Sequence, residues 1–389
     1  LNITARGPQK MTPTTVDNLL IQVRAFVDEQ VAPAAAGWSM GAEPDPALFS
    51  KAGALNLMGI EVPTELGGLG LDFAAKIQVC EIIAAMDFGI AMALVNSHNV
   101  AARLCRTAPP NVRDKYLPGL MSGTLRGCTA LTEPGAGSDF ASITTQASKI
   151  DGGWRLNGEK AWIINARHAQ VSVVFAQCAE IGDMSGISAF AVDLSTPGIE
   201  RYAIDSPFQQ TSIGTGGFTL GKVEIADECQ LVKPGRAFKT VLTEINGARA
   251  YVAAMCNAML RAAITEAEIY GARRMTFGKT LNNHPSWQQA LDDARADLAI
   301  AEGLVVRAVS DVDKGADAQL SAAEAKVQCI LTCQHHMPRL LHNMGAEGLR
   351  PAHCFTRHLA AAQVAGFTDG ATNMLRDRVA MLKQTASAE

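Results

Sequence analysis

The sequence predicts an α+β chain in three parts. These are an N-terminal helical domain over residues 11–127, a middle antiparallel β-domain over 128–235 and a C-terminal four-helix bundle over 236–389. Two observations carry this expectation. Apolar residues recur at helical spacing in the first and last parts and at a spacing of two in the middle. Hydrophobic residues make up 48% of the 389 positions while aromatics make up 5%, a balance that suits packed helices better than an all-β sandwich.

In the first part, residues 16–31 place Leu19, Leu20, Val23, Phe26 and Val27 on one helical face, and Pro33 is expected to end that helix. Asp45 as N-cap and Pro46 at the first helical position open a second helix over 46–57. Residues 73–85 and 89–101 repeat the helical period. A glycine-rich loop, Val62-Pro-Thr-Glu-Leu-Gly-Gly-Leu-Gly70, precedes them. In the middle part, 143–150, 154–163, 171–177, 187–192 and 218–223 read as strands, with Gly152-Gly153 as a hairpin turn. In the last part, 250–270, 287–313, 321–344 and 373–384 read as helices. Pro338 is expected to kink the third, and Leu375, Val379 and Leu382 share a face of the fourth.

Charge and composition exclude several classes. The 34 basic and 38 acidic residues sum to −4, with no basic field to hold nucleic acid. No apolar run approaches the ~20 residues of a membrane span, so no membrane partner is expected. Residues 1–10 are polar and unpatterned, with no charged and apolar succession of a signal peptide, and are expected to form a loose terminus. The nine cysteines are scattered and mostly in apolar surroundings, which points to a reducing compartment and a cytoplasmic location. Cys329, Cys333, His335 and His336 are close in sequence. On a helix, however, the two thiols share a face and the imidazoles diverge, so they read as a buried face and no metal is expected.

Three motifs carry chemistry. Leu131-Thr-Glu-Pro-Gly-Ala-Gly-Ser-Asp139 falls where helices give way to strands. Leu156-Asn-Gly-Glu-Lys-Ala-Trp-Ile-Ile-Asn165 follows, and Arg274-Met-Thr-Phe-Gly-Lys279 closes a helix. In the first, Gly135 and Gly137 let the backbone approach a flat ring closely, and Thr132 and Ser138 add hydroxyls. Arg274 offers the planar fork that suits a phosphate. With the glycine loop before residue 71, these motifs stand in an order that resembles the acyl-CoA dehydrogenase family over nearly the whole chain.

The resemblance implies FAD as cofactor, held by Leu131, Thr132, Gly137, Ser138, Trp162, Ile164, Arg274, Phe277, His342, Gly345, Ala371 and Asn373. Trp162 is expected against the flavin ring, and Arg274 and Phe277 against the FAD of a neighbouring subunit. It implies Ser138, Asn246, Arg249 and His98 as substrate contacts, with the acyl wall formed by 91–104 and 255–260. It also implies a homodimer or homotetramer, an acyl thioester on coenzyme A or a carrier protein, and electron-transfer flavoprotein as the electron acceptor. Four positions depart from the family pattern. Ile164 stands where a Thr or Ser is common, Pro285 follows His284 where a Gln is usual, and His342 replaces a Gln in the motif ending at Gly348. Asp369, in Gly366-Phe-Thr-Asp-Gly-Ala-Thr-Asn-Met374, stands where a Glu acts as base. Ala248 before Arg249 leaves no Glu at the family's other base position.

Proton abstraction alpha to a thioester needs a desolvated carboxylate, and Asp369 is the candidate. Asp-Gly is equally an ordinary turn pair, and both readings stand at this stage. The departures also keep open an oxygen-using enzyme of the nitroalkane oxidase or flavin monooxygenase kind, and a non-catalytic subunit that supports an active partner.

Overall fold

A computed structural model describes residues 13–180, 183–206, 208 and 210–388. The start of the first part at residue 11 and the polar stretch 1–10 lie outside the described residues.

Helix α1 (Pro13–Phe26) does not end at Pro33. It passes through a wider π-turn over Val27–Val31 and continues as α2 (Ala32–Ser39), with Pro33 in the first turn of the new segment. Proline's missing N–H costs nothing there, because first-turn donors have no partner within the helix. At α3 (Ala47–Ala54) the cap position falls on Pro46 and not on Asp45, which stands one residue earlier and accepts from the Ala47 N–H at 2.9 Å. Helices α4 (Phe73–Ala84) and α5 (Phe88–Thr107) begin on Asp72 and Asp87, each accepting from a backbone N–H three residues on. Helix α6 (Pro110–Ser122), not expected from the sequence, opens on proline and closes on Gly123 at φ +73°.

The middle part is a mixed eight-stranded sheet rather than a purely antiparallel one. Its strands are β1 (Gly127–Ala130), β2 (Gln146–Ile150), β3 (Gly153–Ile163), β4 (Val171–Gln177), β5 (Ile187–Asp193), β6 (Ile199–Ala203), β7 (Gly216–Ala226) and β8 (Gln230–Val232). The order is β6-β7-β3-β2-β4-β5-β8, and β1 lies parallel beside β4. β4 and β5 are buried on both faces. Val171, Val173 and Phe175 pack towards α5 and α6, while Val174 and Ala176 pack into a second core with Phe190 and Phe218. The β2–β3 hairpin turns at Asp151-Gly152, one residue before the expected pair. Ile150 already faces Gly153, and a Cβ on Gly153 would stand 2.1 Å from the Ile225 carbonyl.

The last part holds α7 (Ala237–Arg273), α8 (Pro285–Asp313) and α9 (Gln319–Met344), followed by α10 (Phe355–Ala365) and α11 (Thr372–Ala388) packed on α9. The bundle thus has one helix more than its periodicity predicts, because α10 is short and alanine-rich. Between α7 and α8, β9 (Met275–Thr276) and β10 (Lys279–Thr280) make a small hairpin. One continuous core joins the first and last parts, from Val23 and Phe49 to Met259, Leu291 and Phe355. Among the described residues no helix is long and apolar enough to cross a membrane.

Candidate active site

The loop 131–138 is held from beneath by a buried ion pair. Lys160 of β3, 0% exposed, donates to Glu133 at 2.7 Å and to the Leu131 carbonyl at 3.0 Å. Glu133 also accepts from the Thr144 N–H and hydroxyl, at 2.6 and 2.7 Å, and from the Thr145 N–H at 2.9 Å. Burial opposes the charge on both partners. Even so, Lys160 and the threonine donors pull Glu133 down to about 2, whereas burial outweighs the pair for Lys160 and pushes it to about 8. The Thr132 carbonyl accepts from the Ala161 N–H at 3.2 Å, so the loop lies along β3. Above it, Gly135 and Gly137 face open space where a Cβ would stand.

Trp162 reaches the same surface through a bulge. The β3–β7 register shifts between Lys160 and Ile163, and Trp162 takes φ +60°. The indole is 56% exposed, a large apolar area for a residue in the middle of a sheet. Ile164 points the other way and packs against the helical core. Asn165 then locks the strand to α5, donating to the Ala93 carbonyl at 2.7 Å and the Gly127 carbonyl at 3.0 Å.

The C-terminal loop closes on this surface. The Ala371 N–H donates to the Ser138 hydroxyl oxygen at 3.3 Å. Asp369 and Gly370 both have positive φ, +53° and +108°, so the Asp-Gly pair does form a turn. The turn does not leave the side chain idle. Burial raises the Asp369 carboxyl above its ordinary value, and Lys326 and Arg249 oppose that rise. Arg249 donates from Nε to the Asp369 carbonyl at 3.3 Å and from Nη1 to Asn246 at 2.9 Å, so Asn246 acts through Arg249. Lys326 donates to the Gly370 carbonyl at 2.7 Å. Tyr251, buried on α7, feels the Asp369 charge and accepts from Asn99 at 3.2 Å. Ala371 and Asn373 stand at the start of α11, Asn373 exposed.

His98 does not line an open acyl channel. It is 1% exposed and accepts on Nε2 from the Glu61 N–H at 3.2 Å, beside the pair of buried Lys76 and half-buried Glu61. Burial pushes its pKa to about 3, so the ring is neutral. The cavity it faces, shared with Leu57, Ile60 and Cys80, measures about 10 Å³, room for one water. Its polar neighbours on α5 are also structural. Asn96 accepts from the Thr129 N–H of β1 at 3.1 Å, and Asn99 holds Tyr251.

The remaining predicted residues lie elsewhere. Arg274 and Phe277 follow the far end of α7, about 37 Å from Arg249 at 1.5 Å per residue. Phe277 is 96% exposed at the tip of the β9–β10 hairpin. His342, exposed, and Gly345, at φ +63°, belong to that end too. The segment after them is tied to α7 by His353, whose Nδ1 is 2.5 Å from Glu266. Within one chain these residues cannot meet the Ser138–Asp369 site. Among the described residues no group of three or more His, Cys, Asp or Glu converges on a metal position.

Sequence reading missed Lys160, Glu133, Tyr251 and Lys326. For Lys326 a signal existed. It falls on the face of Cys329, Ile330 and Cys333, all buried, where a lysine needs a partner.

Comparison with known proteins agrees with this architecture. Three family models match in order: the acyl-CoA dehydrogenase N-terminal domain over residues 15–124, the middle domain over 128–223 and the C-terminal domain over 235–382. The human mitochondrial short-chain specific acyl-CoA dehydrogenase is 30% identical over 373 residues, covering 94% of this chain and 89% of that protein. An acyl-CoA dehydrogenase of Bacillus subtilis is 30% identical over 305 residues, covering 78% and 80%. The structure of butyryl-CoA dehydrogenase from Megasphaera elsdenii superposes with a TM-score of 0.90 at 25% identity, covering 97% of this chain and 99% of that one. This chain belongs to the acyl-CoA dehydrogenase family.

Proposed function

We propose that the chain is an FAD-dependent acyl-thioester dehydrogenase that introduces an α,β double bond, with Asp369 as the base that removes the alpha proton. The observation that carries this reading is the junction of Ser138 with Ala371, which sets the Asp369 turn against the loop 131–138 and its neighbour Trp162. The surface suits a flat cofactor. Open space above Gly135 and Gly137 admits a ring, backbone groups of 131–138 line it, and the exposed Trp162 indole offers a face. FAD, when bound there, supplies the acceptor for the beta hydride.

The chain's own residues do the rest. Burial keeps Asp369 basic enough to take a proton, while Arg249 and Lys326 limit its protonation. Arg249 fixes the turn through the Asp369 carbonyl.

Arg274, Phe277, His342 and Gly345 reach a partner subunit's FAD in a homodimer or homotetramer, on the argument that they stand too far from Ser138 to serve their own. The remaining implied contacts, coenzyme A or a carrier-protein thioester as substrate and electron-transfer flavoprotein as acceptor, rest on family membership. A cytoplasmic site fits the nine unpaired cysteines.

Anaerobic mixing of the purified chain with a panel of acyl-CoAs tests the reading. Bleaching of bound flavin by at least one saturated acyl-CoA is expected. Asp369→Asn should keep FAD and slow bleaching by at least ~100-fold. A second reading, an oxygen-using enzyme, is favoured by Asp369 in place of Glu and by Ile164, which offers no hydroxyl to the flavin side. Oxygen consumption without dye or electron-transfer flavoprotein reduction would select it. Absence of any turnover with full FAD would select a non-catalytic subunit.

A further inference from the structure

We infer that Lys326 is a positioning residue for the base: its ammonium holds the Asp369–Gly370 turn and supplies the positive charge that keeps the Asp369 carboxylate ionised. The inference rests on the reading of Asp369 as base and goes beyond it.

Lys326 sits on a face of α9 that is otherwise apolar, between Ala322, Ala323 and Ala325 on one side and Cys329, Ile330 and Cys333 on the other. It is 0% exposed. An ammonium in such a place costs several kcal/mol, and a Leu or Met would fill the volume without that cost. What the lysine does there is specific. Its Nζ donates to the Gly370 carbonyl at 2.7 Å, and Arg249 donates to the Asp369 carbonyl at 3.3 Å. Two cations from two helices therefore grip two successive carbonyls of one turn. A turn that needed only to be closed would not require a fully buried lysine beside the half-buried Arg249.

Asp369 gives those charges their purpose. The groups facing it are Lys326 from α9 and Arg249 and Tyr251 from α7. Cys256 of α7 faces Lys326, and Arg378 of α11 faces Arg249. Burial drives the carboxyl towards the neutral acid, which cannot accept a proton. Among the described residues the two cations oppose that drive, and Tyr251 is neutral because burial raises its phenol well above the ordinary value. Burial also pushes Lys326 itself down to about 8, so it carries its charge at neutral pH. Removing that charge leaves Arg249 alone against burial. Asp369 then holds its proton to higher pH, and the rise of activity with pH moves upward.

The test uses the FAD-loaded enzyme. Anaerobic flavin reduction by butyryl-CoA is followed from about pH 5 to pH 9 for the wild type, Lys326→Met, Lys326→Gln and Lys326→Arg, with Asp369→Asn as the reference. The carboxyl stretching band that Asp369→Asn removes is titrated by infrared difference spectroscopy on the same proteins. Both uncharged variants should move the midpoint and the band titration upward by ~1 pH unit, the low end of what an adjacent charge commonly does. Lys326→Arg should stay near the wild type. If Lys326→Met does not fold, Lys326→Gln, which keeps a donor for Gly370, carries the test. An unchanged band titration in either uncharged variant overturns the inference, as does an equal upward shift in Lys326→Arg. Flavin reduction by Asp369→Asn at the wild-type rate sinks the base reading instead, so the two failures are distinct.

Discussion

Replacing Lys160 by methionine keeps its volume and removes its charge from the floor of the loop 131–138. Lys160 is fully buried and Glu133 is 4% exposed, so neither ion can turn to water. The substitution strands the Glu133 carboxylate and leaves the Leu131 carbonyl without its 3.0 Å donor. Breaking a buried pair from one side costs ~3–5 kcal/mol. Burial opposes the Glu133 charge, and Lys160 with the threonine donors outweighs it to hold the carboxyl at about 2, so removing the cation withdraws a main support of that charge. At roughly 2 °C per kcal/mol for a chain of this size, the melting temperature should fall by ~6–10 °C. Because Glu133 is depressed in the folded state, its contribution is complete above its ordinary pKa of 4.5 and disappears as pH falls towards about 2. The deficit should therefore shrink in acid, where protonated Glu133 no longer needs a cation. The assay is scanning calorimetry at two pH values with flavin absorbance of the same samples, since a loosened loop should also release FAD. The double variant Glu133→Gln with Lys160→Met removes both charges and should recover much of the loss. A Lys160→Met protein that melts within ~1 °C of the wild type with full flavin would refute the reasoning.

Three further outcomes are expected. Ellman's reagent at pH 8 should titrate at most the three partly exposed thiols, Cys105, Cys178 and Cys229. Burial shields the other six and pushes Cys80, Cys128 and Cys256 to about 12, so these should react only on unfolding. Gly123→Ala should lower the melting temperature measurably, because Gly123 has φ +73° and the new Cβ would stand 2.0 Å from the Phe49 carbonyl. Phe277→Ala should leave the subunit's own stability nearly unchanged, since the ring is 96% exposed, yet reduce FAD retention in the assembled protein. Equal FAD retention after dialysis would count against a role across the subunit boundary.

The helices and strands that bury one continuous stripe were legible in the sequence. β4 was read with the same limits the structure has, because its apolar run is bounded by polar residues. α10 and α6 were missed for opposite reasons. α10 is an alanine-rich segment without a strong stripe, and α6 carries Pro118 inside a mostly polar stretch. The first helix was cut short at Pro33 because a π-turn, which lets the chain pass a proline, has no signature in apolar periodicity. His98 was misplaced by the same kind of limit. A polar residue on an apolar helix shows that something meets it, but the partner was the Glu61 backbone, 37 positions away in the chain.

Why the motif residues were readable and their supports were not follows from how the site is built. Several of the contacts that fix the candidate groups cross from one part of the chain to another. Asn165 of the sheet grips the Ala93 carbonyl of α5, and Asp87 of α5 accepts from Ser212 at 2.6 Å. Ser138 meets Ala371 across 233 positions, Lys326 meets Gly370 across 44, and Asn99 meets Tyr251 across 152. The glycines and short hydroxyls of a cofactor loop advertise themselves, since few other needs bring them together. A lysine under a turn or a tyrosine beside a carboxylate carries no such local mark. Its meaning appears only when distant stretches of the chain close on one another. The same geometry explains why the Arg274 and Phe277 end stands open. α7 is 37 residues long and carries Arg249 about a third of the way along it and Arg274 just past its far end. Arg249 and Arg274 are thus too far apart along one helix to serve the same cofactor, and the assembly proposed above would bring the two groups together across a subunit boundary.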